Sequence, residues 1–168
     1  EYFLKIKENG YLYEKEIEED YCDKCKTYLS DRELEGVCPH CGGKCNAEQC
    51  EECLTSLEPE NIKDKKCKTC GSVTTTKKNK HLYFKLSAFQ EILEDLIEKR
   101  DGLWRKQATG ESRKFLNMGL IDRAATRQID WGIKVPVKGF EDKKIYVWIE
   151  AVLGYLTTGN RVATSRGI

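Results

Sequence analysis

Tyr2, Phe3, Leu4 and Ile6 recur at roughly helical spacing, and Asn9-Gly10 supplies a stop, so a helix is expected over residues 1–9. The following YLYEKEIEEDYC alternates apolar and charged positions well enough for a strand or hairpin. From 22 to 76 apolar periodicity almost vanishes, and such a stretch needs something other than an apolar core to hold it. The polar run TTTKKNK reads as a loop over 74–80. Periodicity then returns. HLYFKL at 81–86 has strand character, and SAFQ at 87–90 has a capping-box form, Ser87 with Gln90 three residues on. The helix it opens places Phe89, Ile92, Leu93, Leu96 and Ile97 on one face and stops at RDG. A shorter helix is expected over SRKFLNMG, a buried strand over KKIYVWI at 143–149, and a helix start in EAVLGYL. Strand and helix alternate in this second half, the pattern of an α/β domain.

Composition adds little until charge is followed along the chain. The 168 residues are 39% hydrophobic and 34% charged, ordinary for a soluble globular protein with room for a core. No apolar run reaches membrane-spanning length and no signal peptide opens the chain, so a cytoplasmic, reducing setting without a membrane partner is expected. The opening EYFLKIKENG has no Met and begins inside an amphipathic pattern, which reads as a cut within a larger protein. Residues 1–60 hold 7 basic and 16 acidic side chains, a net −9, whereas 61–120 carry +7 and the remainder +3. The acidic part is also the cysteine-rich part. A nucleic-acid-binding zinc ribbon shows the opposite balance.

Nine cysteines stand at 22, 25, 38, 41, 45, 50, 53, 67 and 70, eight of them in four Cys-x-x-Cys pairs. An odd count without a signal peptide argues against a disulfide scaffold. A redox pair would need an exposed, low-pKa thiol on a helix start beside a βαβ unit, a setting none of the four pairs has. Knuckles of this spacing each supply two thiolates, so four of them make two tetrahedral zinc sites. Four thiolates leave no open position for a water, which marks both sites as structural. Gly42 and Gly71 follow Cys41 and Cys70, where a positive φ lets backbone N–H groups turn toward the sulfurs. Spacing leaves the pairing open. A sequential scheme joins Cys22/Cys25 with Cys38/Cys41 and Cys50/Cys53 with Cys67/Cys70; a nested scheme makes Cys38, Cys41, Cys50 and Cys53 an inner site and Cys22, Cys25, Cys67 and Cys70 an outer one. Cys45 is read as a free surface cysteine in preference to a substitute ligand, and His40 as a solvent-facing turn residue in preference to a ligand.

From 120 the chain reads LIDRAATRQIDWGIKVPVKGFEDKKIYVWIEAVLGYL, which closely resembles methionyl-tRNA synthetase, a class I aminoacyl-tRNA synthetase family. YCDKCKTYLSDRELEGVCPHCG, QCEECLTSLEPENI and KHLYFKLSAFQ resemble that family's zinc-bearing connective domain, so the likeness covers essentially the whole chain. The resemblance implies an α/β, Rossmann-type catalytic piece with an inserted zinc-knuckle connective domain of short strands and loops. It implies a lead-in over 1–20, the knuckle domain over 21–80, the remainder of the connective domain over 81–119, and a return into the catalytic domain over 120–168. Trp148, Ala151 and Tyr155 match positions lining the methionine pocket, and Arg127 matches an arginine of methionine activation. Family members with one zinc retain the inner knuckles, which favours the nested scheme. Gln128 and Glu150 stand where the family has Asp, and Val152 where many members have Pro. The resemblance further implies methionine, ATP and tRNA(Met) as partners of the full-length enzyme. The family's His-Ile-Gly-His and Lys-Met-Ser-Lys signatures occur nowhere in these residues, so the isolated chain is expected to lack synthetase activity; it is also expected to be a monomer. The alternative from another class is a zinc-ribbon nucleic-acid-binding module centred on Lys77, Lys78 and Lys80.

Overall fold

The computed structural model describes every residue except 31, 47–49, 56, 58–60 and 168. The chain divides into two compact units. The first comprises Glu1–Lys15, His81–Arg127 and the residues from Gly132 on; the second comprises Glu16–Lys80 and Gln128–Trp131. Helices and sheet are mixed. Helix α1 spans Tyr2–Glu8 and strand β1 Leu12–Cys22, followed by the short strands β2 Thr27–Tyr28, β3 Leu34–Val37, β4 Lys44–Cys45 and β5 Lys63–Cys67. Strand β6 is Thr75–Phe84, and a 3-10 turn at Leu86–Phe89 leads into α2 at Gln90–Lys99. Helix α3 is Lys106–Met118, then β7 Arg123–Ala124, β8 Thr126–Arg127, β9 Lys144–Ile145 and α4 Val147–Arg166. The strands form sheets of order β2-β1-β6-β7, β4-β3-β5 and β8-β9.

In the second unit a small core forms from Leu34, Cys38, Cys45, Cys50, Leu57 and Ile62, with Leu29 packed against it. The unit thus has apolar burial that its weak periodicity hid, because three of the six members are cysteines. Gly36 belongs to β3, and a Cβ there would stand 2.7 Å from Lys63 O of the paired strand β5, so only glycine permits this approach. The loop expected at 74–80 is instead the first part of β6. Acidic residues of β1 and its following turn explain why: Lys78 pairs with Glu16 at 3.1 Å, Asn79 donates to Glu19, and Lys77 reaches Asp23 at 2.8 Å. A run with no apolar pattern becomes a strand through charge complementarity across the pair.

The first unit packs Phe3, Leu12, Leu82, Ala125, Val135 and Phe140 into one core, with Ile6, Phe84, Val137, Ile145 and Ile149 at its margin. Three expectations are corrected here. Ser87 and Gln90 form no capping box. Ser87 donates both its N–H and its hydroxyl to Asp122, and the Gln90 amide donates to Leu116 O and accepts from the Leu120 N–H. Helix α2 therefore begins after a 3-10 turn and is fixed from outside, with only Ile97 of its apolar face buried and Ile92 60% exposed. Helix α3 starts six residues ahead of the expected SRKFLNMG. The run 143–149 holds only two strand residues before α4 begins at Val147, since a short apolar run does not distinguish strand from helix.

Asp122 joins three segments of this unit. Its carboxylate accepts from the Tyr13 hydroxyl at 2.9 Å and from Ser87 N and Oγ at 3.0 and 2.6 Å. The Ser87 hydroxyl, opposed by partial desolvation, holds the Asp122 carboxyl below the usual carboxylate range. A depressed carboxyl pKa stabilises the fold above its unfolded value, and that contribution is lost as pH falls through the folded value. Asp122→Ala should lower the stability of this unit by about 1–2 kcal/mol at pH 7, with the difference from wild type shrinking as acidification protonates Asp122, as read by thermal unfolding across pH. A deficit that does not shrink on acidification would contradict this account.

Candidate metal centres and pocket face

The four knuckles share one backbone design. In three of them the N–H four residues after the first cysteine returns to that cysteine's carbonyl: Gly42 to Cys38 at 3.0 Å, Leu54 to Cys50 at 3.1 Å and Gly71 to Cys67 at 2.7 Å. The first cysteine then donates to the carbonyl one residue further on, Cys38 to Gly43, Cys50 to Thr55 and Cys67 to Ser72. In the fourth, Cys22 pairs with Thr27 across the β1–β2 ladder. The residue after the second cysteine has positive φ in all four: Lys26 at 55°, Gly42 at 77°, Leu54 at 58° and Gly71 at 69°. Two of these are not glycine, so the turn imposes a conformation that side chains disfavour by about 1–2 kcal/mol. The return is a set of N–H groups turned toward sulfur. Cys25 N lies 3.3 Å from Cys22 Sγ, His40 N 3.4 Å from Cys38 Sγ, Gly43 N 3.4 Å from Cys41 Sγ and Cys53 N 3.5 Å from Cys50 Sγ.

The knuckles come together in two groups, Cys22, Cys25, Cys67 and Cys70, and Cys38, Cys41, Cys50 and Cys53, with the sulfurs of each group within 4.8 Å of one another. All nine cysteines are free. Close sulfur contacts are 3.4 Å for Cys22–Cys70, 3.9 Å for Cys25–Cys67, 3.8 Å for Cys38–Cys53 and 3.5 Å for Cys41–Cys50. Four sulfurs bound tetrahedrally at about 2.3 Å, the length of a zinc–thiolate bond, stand about 3.8 Å apart. Both groups therefore have the donor set and spread that could hold a metal ion. Cys45 joins neither group, and it is not a surface residue: it is 3% exposed inside the core of the second unit, where burial pushes its thiol pKa up. His40 is exposed in its turn.

Within each group the thiols shift one another's pKa. Cys53 is lowered to about 6, first by the Thr55 hydroxyl 3.2 Å away, and Cys70 to about 6, first by the Ser72 hydroxyl. Cys25 is pushed up to about 12, chiefly by its contact with Cys70. At Cys41 the Gly43 N–H favours the thiolate, yet the neighbouring thiols, Cys50 foremost, carry it up to about 12. Each group thus favours the thiolate at one sulfur and disfavours it at another. Thr55, Ser72, Lys26 and Leu54 escaped the sequence reading. The signal was the hydroxyl residue two positions beyond the second cysteine, present at 27, 55 and 72.

In the first unit, Arg127 lies on β8 with its Nη1 donating to Ala124 O at 3.5 Å and Thr126 O at 3.2 Å, and its guanidinium carbon 4.1 Å from the centre of the Tyr146 ring. Trp148, Ala151 and Tyr155 fall on α4 at spacings of three and four, so they share one helix face. Trp148 is 69% and Tyr155 81% exposed, which replaces the expected buried strand with an open aromatic face. Glu150, in the first turn of the same helix, keeps Oε2 buried without a hydrogen-bond partner. Tyr146 was not singled out from the sequence.

The family described as tRNA synthetases class I (M) matches residues 1–167. A methionine–tRNA ligase of Bacillus cereus is 42% identical over 167 residues, covering 98% of this chain and 31% of that protein. Methionine–tRNA ligase 1 of Alkaliphilus oremlandii is 44% identical over 159 residues, covering 95% of this chain and 29% of the relative. The chain therefore spans under a third of the length of the curated relatives it matches. Among solved structures, Mycobacterium tuberculosis methionyl-tRNA synthetase in complex with methionyl-adenylate superposes with a TM-score of 0.54 at 20% identity, over 92% of this chain and 26% of that one, a likeness of fold. On the match across 167 of its residues and on the identity to these relatives, the chain belongs to the methionyl-tRNA synthetases of class I.

Proposed function

We propose that this chain is the zinc-knuckle connective segment, with the adjoining wall of the methionine pocket, of a cytoplasmic methionine–tRNA ligase. The observation that carries the reading is the pair of four-thiol groups within a sequence matched end to end by that family. In the full-length protein the methionine carboxylate attacks the α-phosphorus of ATP and pyrophosphate leaves. A ribose hydroxyl at the 3′ end of tRNA(Met) then attacks the adenylate carbonyl and releases AMP. The second unit holds the knuckle part of the connective insertion, residues 81–119 its remainder, and residues 120–168 the return into the Rossmann-type domain. Trp148, Ala151 and Tyr155 offer the thioether an aromatic and methyl surface, with which sulfur packs well. Arg127 meets the carboxylate as it develops into the adenylate, a matter of positioning and electrostatics rather than covalent help from the protein. No described helix is long and apolar enough to cross a membrane.

Zinc is the ion that best suits four thiolates in a tetrahedron, and with no open position it supplies shape rather than chemistry. The nucleic-acid-binding alternative draws little support. The second unit carries 11 basic and 15 acidic residues, and Lys77 and Lys78 are held by Asp23 and Glu16. Structural zinc contributes roughly 10–16 kcal/mol to the folding of small zinc peptides.

Elemental analysis of the purified chain should find two zinc ions, one for each thiol group. Cys22→Ser and Cys67→Ser should each release one ion and leave the same one behind, whereas Cys38→Ser and Cys50→Ser should release the other. Chelation should open residues 22–70 to protease before the rest of the chain. A folded sample without zinc, or release in sequential rather than nested pairs, would refute the assignment.

The catalytic part is tested by ATP–pyrophosphate exchange. A full-length ligase containing this segment should exchange with methionine, and Arg127→Ala should reduce the rate by roughly a hundredfold. The 168-residue chain alone should give no exchange. Full activity in the Arg127→Ala enzyme would remove that residue from the reaction.

A further inference from the structure

Arg127 has a long side chain on a very rigid base. Ala125 and Thr126 are fully buried. The buried His81 ring places Nδ1 2.9 Å from Thr126 Oγ1, and that oxygen accepts the Leu82 N–H at 3.1 Å. Pairing of Thr126 with Ile145 and of Arg127 with Lys144 ties the strand to the start of α4. None of these contacts restrains the guanidinium itself. Two carbonyls take up Nη1, while among the described residues no hydrogen bond or ion pair engages Nε or Nη2. The Tyr146 ring lies against the guanidinium carbon, 4.1 Å from it to the ring centre.

That ring is itself well fixed. The Tyr146 N–H donates to Ala125 O at 2.9 Å, and its carbonyl accepts from Ile149 at 3.0 Å and Glu150 at 3.4 Å in the first turn of α4. Tyr146 thus stands at the junction of the strand carrying Arg127 and the helix carrying Trp148, Ala151 and Tyr155. A guanidinium stacked on an aromatic face keeps its plane, and a planar fork with free donors on one edge is the form that receives a carboxylate or phosphate oxygen pair.

We propose that Tyr146 is a positioning residue for Arg127: its ring sets the plane of the guanidinium so that the unengaged Nε and Nη2 edge presents two parallel donors to an anionic oxygen pair. The proposal rests on the reading that Arg127 meets the reacting carboxylate, and it adds how that arginine is aimed and what links it to the methionine-pocket helix. The ring provides the effect and the hydroxyl does not, so phenylalanine should substitute and leucine should not. Because Tyr146 acts through Arg127, its loss should cost nothing once Arg127 is gone.

Two measurements test this. In pyrophosphate exchange by the full-length ligase, Tyr146→Leu should lower kcat about tenfold with KM for ATP unchanged, and Tyr146→Phe should stay within about twofold of wild type. The double variant Arg127→Ala/Tyr146→Leu should be no slower than Arg127→Ala alone. In the 168-residue chain, the ring-current upfield shift of the Arg127 δ protons should persist in Tyr146→Phe and vanish in Tyr146→Leu. Wild-type kcat in Tyr146→Leu beside a disabled Arg127→Ala enzyme would overturn the proposal and spare the reading beneath it. A double variant about tenfold worse than Arg127→Ala would assign Tyr146 a structural role and overturn it too. An Arg127→Ala enzyme with wild-type exchange would overturn both together.

Discussion

Sulfur crowding governs the second unit. Eight thiols are drawn into two groups, each with its sulfurs within 4.8 Å of one another, although four neighbouring thiolates repel and four neighbouring thiols gain little from contact. The backbone bears part of the cost, since Lys26 and Leu54 adopt left-handed conformations to complete their turns. The apolar core of the unit cannot be separated from the thiols either, because Cys38, Cys45 and Cys50 make up half of its buried members. In the proposed reading zinc resolves the crowding, and by fixing Cys38 and Cys50 it fixes the core around them. Metal binding and hydrophobic burial are then one cooperative event.

Charge explains what apolar pattern does not. Strand β1 and its following turn present Glu16, Glu19, Asp20 and Asp23, and their partners are Lys78, Asn79, Lys65 and Lys77. Such pairs near solvent are individually weak. Their value here is registry: a run of Thr, Lys and Asn has little apolar reason to choose one alignment over another, and an acidic partner supplies the reason. The asymmetry that separates the two ends of the sequence therefore also organises the inside of one unit.

The thiol groups could be read from the sequence, because knuckle spacing is a strongly constrained pattern. The two four-thiol groups of the structure follow the nested arrangement rather than the sequential one, a choice that spacing alone left open. The misses share a physical origin. Strand β6, the 3-10 entry to α2 and the burial of Cys45 are decided by residues far away in the sequence: Glu16 and Asp23, Asp122, and the core around Leu34. Ser87 and Gln90 have the letters of a capping box, but both side chains make distant bonds that a local pattern cannot show. The run 143–149 failed differently. Its apolar content predicted burial, yet Tyr146 ends an extended segment and the next residues wind into a helix with Trp148 open.

That last difference bears on how the proposed pocket is built. Arg127 stands on a strand anchored by fully buried neighbours, whereas Trp148 and Tyr155 are exposed on α4, a helix that reaches the core through Ile149. Adenylate formation depends on a charge held in a defined place as the carboxylate attacks, so its donor needs a preorganised base. Recognition of a thioether depends on apolar area that can adapt to a flexible chain, and aromatic faces tolerate small displacements. In the proposed reading the two requirements fall on β8 and α4, which meet at Tyr146.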